Sequence, residues 1–295
     1  VGVRTGDKGV DKHGQPKGNF QPGTDIKAKV TILCEGVRGS LTKQLITSEK
    51  LEDPHHPQVY TTGVKEIWEM PEGRVQPGRV IHTLGWPLKS DTFGGGFIYG
   101  MAHNRWAVGF CTGLDSRNPY TDPHLEMQRY KTHPLVRKLI EGGKMVAYGA
   151  KAIPEGGFYA MPKHVVDGAL IVGDAGGFLN AQRLKGIHLA MKTGMLAADT
   201  ANEAIRKGDL TRAGLAPFEE KVRQSFVHEE LYAVRNFHQP YQKGLLNGLV
   251  NTGLQMVTGG RGLTDPYPSE AGYKRMASVK AYYGRAGRSE EHTSE

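Results

Sequence analysis

Cysteine is nearly absent from this 295-residue sequence: Cys34 and Cys111 are the only two. Two thiols exclude a disulfide framework, a four-cysteine zinc site and a self-contained iron–sulfur cluster. No uncharged run of about 18 dense apolar residues occurs, so no ordinary membrane-spanning helix is expected. No basic-then-apolar secretory leader is seen at the start. The Gly-x-Gly-x-x-Gly dinucleotide fingerprint, the Walker phosphate loop, the His-Glu-x-x-His zinc motif and the Gly-x-Ser-x-Gly elbow are all missing. Basic residues never run together interleaved with aromatics, so nucleic acid is not an expected partner. The twelve histidines are scattered, and the one adjacent pair, His55-His56, sits between prolines in a polar loop.

What the chain does have is glycine and proline, 40 and 16 residues. Together they approach a fifth of the sequence against an average near 12%, which predicts many turns and close backbone approaches. Hydrophobic residues at 38% suffice for a core, so wholesale disorder is excluded. The formal net charge of +8 suits an acidic membrane surface or an acidic protein partner. The final eight residues, 288–295, read as a translated sequencing-adapter oligonucleotide and are set aside. Without them the charge is about +10. With Val1 opening inside strand-like text, the sequence reads as a fragment.

The coarse pattern of antiparallel strands and late helices is α+β, or one sheet domain grafted on a nucleotide-binding domain. Residues 1–34 predict a meander broken at Asp7-Lys8-Gly9, His13-Gly14 and Gln21-Pro22-Gly23, ending in one strand over Ile26–Cys34. A short helix is expected over Ser40–Ile46. Strands are expected over Val59–Met70, Arg79–Leu88, Gly94–Ala102 and Trp106–Leu114. Helices follow over Pro123–Glu141, with a new segment at Pro134. A buried strand over Gly168–Gly173 precedes a long helix over Gly186–Arg206 and a helical stretch over Thr211–Arg235. The domain reading is 1–57 and 161–236 as one domain, 58–160 as the inserted sheet, and 237–287 as an interface segment and linker.

Four stretches carry candidate chemistry. In Ala169–Asn180 a buried strand ends at Gly173-Asp174 and a glycine turn through Gly177 follows. Lys185, Gly186 and Ile187 then open a long helix, whose free N–H groups suit a phosphate or the electron-rich edge of a reduced flavin. Asp174 either accepts hydrogen bonds from a ribityl or ribose hydroxyl or simply caps a helix. Lys29–Ser40 repeats the scheme, with Glu35-Gly36 at the strand end; here Cys34 reads as a small packed apolar residue. Three glycines, Gly94–Gly96, interrupt the strand after Thr92-Phe93, so either a planar ring or a bulge comes close. Finally, Tyr241–Gly260 bears no charge between Lys243 and Arg261. On a helix, Leu245, Leu246, Leu249, Val250, Leu254 and Val257 oppose Asn247, Asn251, Gln255 and Thr258. That pattern fits a membrane interface, or equally a core or dimer helix, although five glycines argue against a stable isolated helix.

These motifs, in order, resemble the electron transfer flavoprotein–ubiquinone oxidoreductase family. The resemblance is carried by Ala28–Gly36, Ser40–Leu45, His82–Leu88, Thr92–Gly95, Glu141–Lys144, Ala147–Ala150, Glu155–Phe158 and Lys185–His188. FixC-type and geranylgeranyl-reductase-type flavoproteins share the two strand-end turns and supply the alternative, an FAD-dependent reductase. Gly85-Trp86-Pro87-Leu88 and Phe93-Gly94-Gly95 favour the quinone enzyme. The resemblance implies part of an FAD-binding, Rossmann-like domain carrying an inserted antiparallel-sheet domain and C-terminal helices. It implies an electron-transferring-flavoprotein dehydrogenase that passes electrons through a [4Fe–4S] cluster and FAD to ubiquinone. It implies a peripheral membrane location, either the cytoplasmic face of a bacterial inner membrane or the mitochondrial inner membrane. Glu35, Gly36, Gly173, Asp174, Gly177, Lys185, Gly186 and Ile187 would line FAD, and Gly94 and Gly95 the quinone. The family's fingerprint and cluster cysteines are missing here, so the chain alone is expected to be inactive.

Overall fold

The computed structural model describes residues 2–284, and the chain divides into two compact units. One comprises Val1–Leu51, Pro162–Phe178 and Gly186–Glu229; the other comprises Glu52–Met161, Leu179–Lys185 and the chain from Glu230 onward. Residues 179–185 and those after 229 thus join the sheet unit, where the sequence reading had kept 161–236 together. The readings of Val1 and of residues 288–295 lie outside the described residues.

In the first unit, β1 (Gly2–Arg4), β2 (Lys8–Val10), β3 (Pro16–Gln21) and β4 (Asp25–Lys27) form two nested antiparallel ladders, β2 on β3 and β1 on β4. The expected break at Lys8-Gly9 is a strand instead: Gly9 takes φ +66° and absorbs a register shift, as a bulge does. Ile26–Cys34 is likewise two elements, because β5 (Thr31–Leu33) leaves β4 for another sheet. α1 (Ser40–Ser48) follows.

The second unit is built on β6 (Tyr60–Glu69), β7 (Val80–His82), β8 (Gly94–Met101) and β9 (Arg105–Gly113). α2 (Pro123–Thr132), α3 (Pro134–Ile140) and β10 (Lys144–Pro154) complete it. The five strands pair antiparallel in the order β10-β6-β9-β8-β7. Helix boundaries follow local chemistry. Asp122 caps α2 by accepting from the N–H groups of His124 (2.8 Å) and Leu125 (3.2 Å), and Pro134, which has no N–H to leave unpaired, opens α3. Two expectations needed correction. The strand over Arg79–Leu88 is only β7, since the backbone turns away at Gly85 with φ +84°. β10 was not anticipated, because its first eight residues are exposed and show no alternation of polarity. Ile98, Val108, Phe110 and Trp106 pack against Met127, Tyr130, Val136 and Ile140 as one core.

The return to the first unit brings β11 (Val165–Val166) and β12 (Ala169–Ile171), with β12 parallel to β5 in the register Ala169–Thr31, Leu170–Ile32, Ile171–Leu33. α4 (Ile187–Lys207), α5 (Arg212–Leu215) and α6 (Pro217–Arg223) follow, and α7 (Phe226–Ala233) crosses into the second unit at Glu230. The expected single stretch over Thr211–Arg235 is therefore three short helices. In the second unit, α8 (Leu245–Thr258), α9 (Gly272–Arg275) and α10 (Val279–Tyr283) end the described chain.

α8 forms despite its glycines, because Gly244 and Gly259 are its caps and Gly248 sits against the Tyr241 ring. Its polarity is inverted. Asn251 and Gln255 are buried, while Leu246 (76% exposed), Leu249, Val250, Met256 and Val257 (81%) face outward. Among the described residues no helix is long and apolar enough to cross a membrane.

Ile98 is fully buried, so Ile98→Ala should lower the unfolding free energy by about 2–5 kcal/mol. Tyr148→Ala, on the exposed face of β10, should stay within about 0.5 kcal/mol of the parent. Urea denaturation of both variants checks the pair.

Candidate functional site

In the first unit, parallel pairing of β5 and β12 sets two strand ends side by side, and Val172 N–H continues the ladder onto Leu33 C=O at 3.1 Å. Glu35-Gly36 leaves one end and Gly173-Asp174 the other. Gly36 (φ +75°), Gly173 (φ +61°) and Gly177 (φ +77°) adopt the left-handed region that favours glycine, and a side chain at Gly36 would meet nothing. The 3-10 turn Gly173–Gly176 packs on α4: Gly173 N–H donates to Thr193 Oγ1 at 3.2 Å, and a Cβ there would come within 3.2 Å of Ala190. Gly186 starts α4 with no side-chain cap, and Ile187 beside it is 80% exposed. The sequence reading thus holds for the meeting of two strand ends and one helix start within a single unit.

Two residues of that reading have other occupations. The Glu35 carboxylate caps α1, accepting from Thr42 N–H at 2.7 Å, Thr42 Oγ1–H at 2.8 Å and Leu41 N–H at 3.3 Å. Burial opposes its ionisation, but these bonds hold its pKa below the ordinary carboxylate value. Lys185 belongs to the second unit, where its Nζ donates to Arg183 C=O at 3.1 Å. Cys34 is exposed rather than packed, with its Sγ 3.8 Å from Ile32 C=O. A residue the sequence did not mark is His164. It lies beneath the turn, stacked on Phe178 at 4.4 Å, with Nε2 3.0 Å from Gly176 C=O. Burial keeps the ring neutral, so it is an Nε2–H donor to that carbonyl.

An uncapped 21-residue helix beside a turn of left-handed glycines fits a phosphate or a flavin edge. A [4Fe–4S] cluster does not fit. The two cysteines lie in different units, burial pushes the Cys111 thiol to about 12, and among the described residues no group of three metal-ligating side chains occurs.

Gly94 and Gly95 lie on β8 in the second unit, beside a cavity of about 280 Å³. Its walls include Phe93 to Phe97, His82 to Leu84, Cys111, Gln182, Leu184 and Phe237. Close packing alone requires these glycines. A Cβ at Gly94 would run into the Cys111 carbonyl, one at Gly95 into the Thr83 carbonyl, and one at Gly96 into the Tyr130 ring. The volume lies just under the roughly 300 Å³ where ordinary ligand sites begin. It has room for a substituted quinone ring and none for a dinucleotide.

Behind the wall lies a buried triad that no sequence motif announced. His238 Nε2 is 3.0 Å from Asp115 Oδ2, and Nδ1 is 3.1 Å from Glu155 Oε2. Burial alone would keep the ring neutral. Asp115, by charge and hydrogen bond, and then Glu155 outweigh it and raise the pKa to about 10. Asp115 is held down at about 2: burial opposes, while His238, Gln242 and Arg275 prevail. The imidazole meets the edge-on Phe93 ring at 4.7 Å, and Phe93 and Phe237 both line the cavity.

Residues 60–153 match the family model described as "ETF-QO, ubiquinone-binding". The chain is 43% identical over 257 residues to the mitochondrial electron transfer flavoprotein-ubiquinone oxidoreductase of Arabidopsis thaliana, covering 86% of this chain and 40% of that protein. To the Homo sapiens protein of the same name it is 42% identical over 262 residues, covering 86% and 42%. The chain therefore spans about two-fifths of the length of the curated relatives it matches. Among solved structures, a geranylgeranyl bacteriochlorophyll reductase-like protein from Thermoplasma acidophilum gives a TM-score of 0.59 at 16% identity, covering 80% of this chain and 53% of that one. The halogenase PltM in complex with phloroglucinol and FAD gives 0.52 at 13% identity, with coverages of 76% and 45%. The α+β fold of this chain is shared in part with these two proteins.

The triad predicts a pH dependence of stability. Because the folded pKa of His238 lies above 6.5, its contribution is complete below that pH and is lost as pH rises through about 10. The urea midpoint should therefore fall between those values. In a variant that also neutralises the carboxylates, His238→Phe with Asp115→Asn and Glu155→Gln, that slope should vanish.

Proposed function

Taking this chain as a relative of the electron transfer flavoprotein–ubiquinone oxidoreductases, we propose that it forms the quinone-reducing part of such an enzyme. Reduced electron transfer flavoprotein is the electron source, FAD the carrier and ubiquinone the acceptor. The observation that carries this reading is the small apolar cavity beside Gly94–Gly96, lined mostly by residues within the stretch that matches the ubiquinone-binding model and completed by Ala181, Gln182, Leu184 and Phe237. FAD, when bound, supplies the means of passing electrons singly to a quinone. The N–H groups opening α4 at Gly186-Ile187 would hold its electron-rich edge, Gly36, Gly173 and Gly177 would let the backbone approach it, and Asp174 would accept from a ribityl or ribose hydroxyl. Glu35 acts indirectly, fixing the start of α1 behind its turn. A cluster, if the whole enzyme has one, draws its ligands from outside this chain.

The acceptor is lipid-soluble, so the cavity needs a dry approach. We read the inverted α8 as that approach. Its start is tied to the loop after β7 through Leu245 N–H and Ser90 C=O at 2.7 Å, and Gly85 lies against Leu245. Leu84 and Trp86 on that loop are also exposed, and Leu84 lines the cavity. Lys243 and Arg261 bracket the helix with positive charge. A surface of this kind lies in the boundary of an acidic bilayer without spanning it, which gives peripheral attachment to an inner membrane.

Decylubiquinone should bind the chain saturably, followed by quenching of its intrinsic fluorescence, and Gln182→Trp, which intrudes on the cavity, should weaken binding at least about tenfold. Unchanged binding in a folded Gln182→Trp variant would remove the cavity from the mechanism. Separately, Val257→Glu and Leu246→Glu should each reduce co-flotation with vesicles containing anionic phospholipid while leaving circular dichroism unchanged, since both positions are exposed.

A further inference from the structure

We propose that His82 delivers a proton to the quinone in this cavity, an inference that rests on reading the cavity as the quinone site. Reducing a quinone to its quinol consumes two electrons and two protons, and turns each C=O into C–OH. The electrons come from the reduced flavin. Each proton must reach a quinone oxygen, and a group lining the cavity can hand over one of them.

The lining leaves few donors. The Cys111 thiol is too weak an acid at neutral pH, since burial and the nearby Glu155 push its pKa to about 12. The Thr83 hydroxyl is engaged with Tyr130 Oη at 3.1 Å, and the Gln182 amide does not ionise. The His238 imidazole, held between Asp115 and Glu155, is not among the lining residues and lies behind Phe93. His82 is different. It lines the cavity, it is exposed, and its ring meets Tyr99 edge-on at 5.7 Å, with no hydrogen bond to either nitrogen among the described residues. Beside that pair, Lys185 Nζ lies 3.5 Å from Tyr99 Oη. Histidine is also the side chain that ordinarily exchanges a proton between pH 5 and 8.

The step is simple in its balance. A ring N–H bond of the imidazolium breaks, an O–H bond forms on the quinone oxygen facing the cavity mouth, and the nitrogen keeps the electron pair. The exposed ring regains its proton from bulk water, which also supplies the proton for the second oxygen.

Two measurements test this. In the chain itself, the His82 Cε1–H resonance, identified by its loss in His82→Gln, should move when decylubiquinone is added. In the flavin-loaded enzyme, His82→Gln should slow decylubiquinone reduction about 100-fold at pH 7. Added imidazole should restore rate to His82→Ala. If decylubiquinone shifts resonances of Phe97 and Leu84 but His82→Gln keeps the parent rate, His82 is not the donor and the cavity keeps its reading. If no cavity resonance moves, the quinone site is elsewhere and the inference falls with it.

Discussion

Three successive residues without side chains, Gly94–Gly96, are the constraint on which the second unit turns. On the packed side, the Thr83 and Cys111 carbonyls and the Tyr130 ring come so near the β8 backbone that no Cβ can be placed there. Alongside them the same bare backbone leaves a void, closed by Phe93, Phe97 and Phe237. A strand of ordinary composition would fill that void with its own side chains. Here tight packing of the sheet and an opening beside it are two results of one sequence feature.

The first unit reaches its candidate site by another route. A parallel pair needs no side-chain recognition at its ends, because the ladder between β5 and β12 alone sets two turns next to each other. Glycine then lets each chain reverse sharply, and α4 starts where the second turn ends. Glu35 and His164 serve this arrangement without being its chemistry. One fixes the start of α1, and the other supports the Gly176 carbonyl from below. Removing either leaves a buried or half-buried group unpaired, at a cost of roughly 1–3 kcal/mol.

Much of this was legible in the residues, because the signals were local. The apolar run before Gly173 and the prolines at 134 and 123 identify β12, α3 and α2 from neighbours within a few positions. Periodicity separates the two faces of α8 but does not say which turns inward; that is decided by partners such as Asn236, whose carbonyl accepts from Gln255 Nε2 at 2.9 Å. β10 escaped notice because an exposed edge strand carries no alternation. Cys34 was misjudged because β5 is too short to enclose its last neighbour. The glycines at 94 and 95 were recognised as a close approach, while the identity of what approaches them depends on strands paired across the sheet. His238 was invisible for the same reason: its partners lie 123 and 83 residues away.

That long reach has an evolutionary corollary. Asp115, Glu155 and His238 stand after different strands and before a helix, and each is intelligible only through the other two. Loss of the imidazole alone would strand two acids in a water-poor interior, and loss of one acid would leave the ring with a single counter-charge. Drift at these positions should therefore be concerted. Across related genes the three should covary as a set, and chimaeras that exchange the sheet without the segment following α7 should inherit mismatched charges.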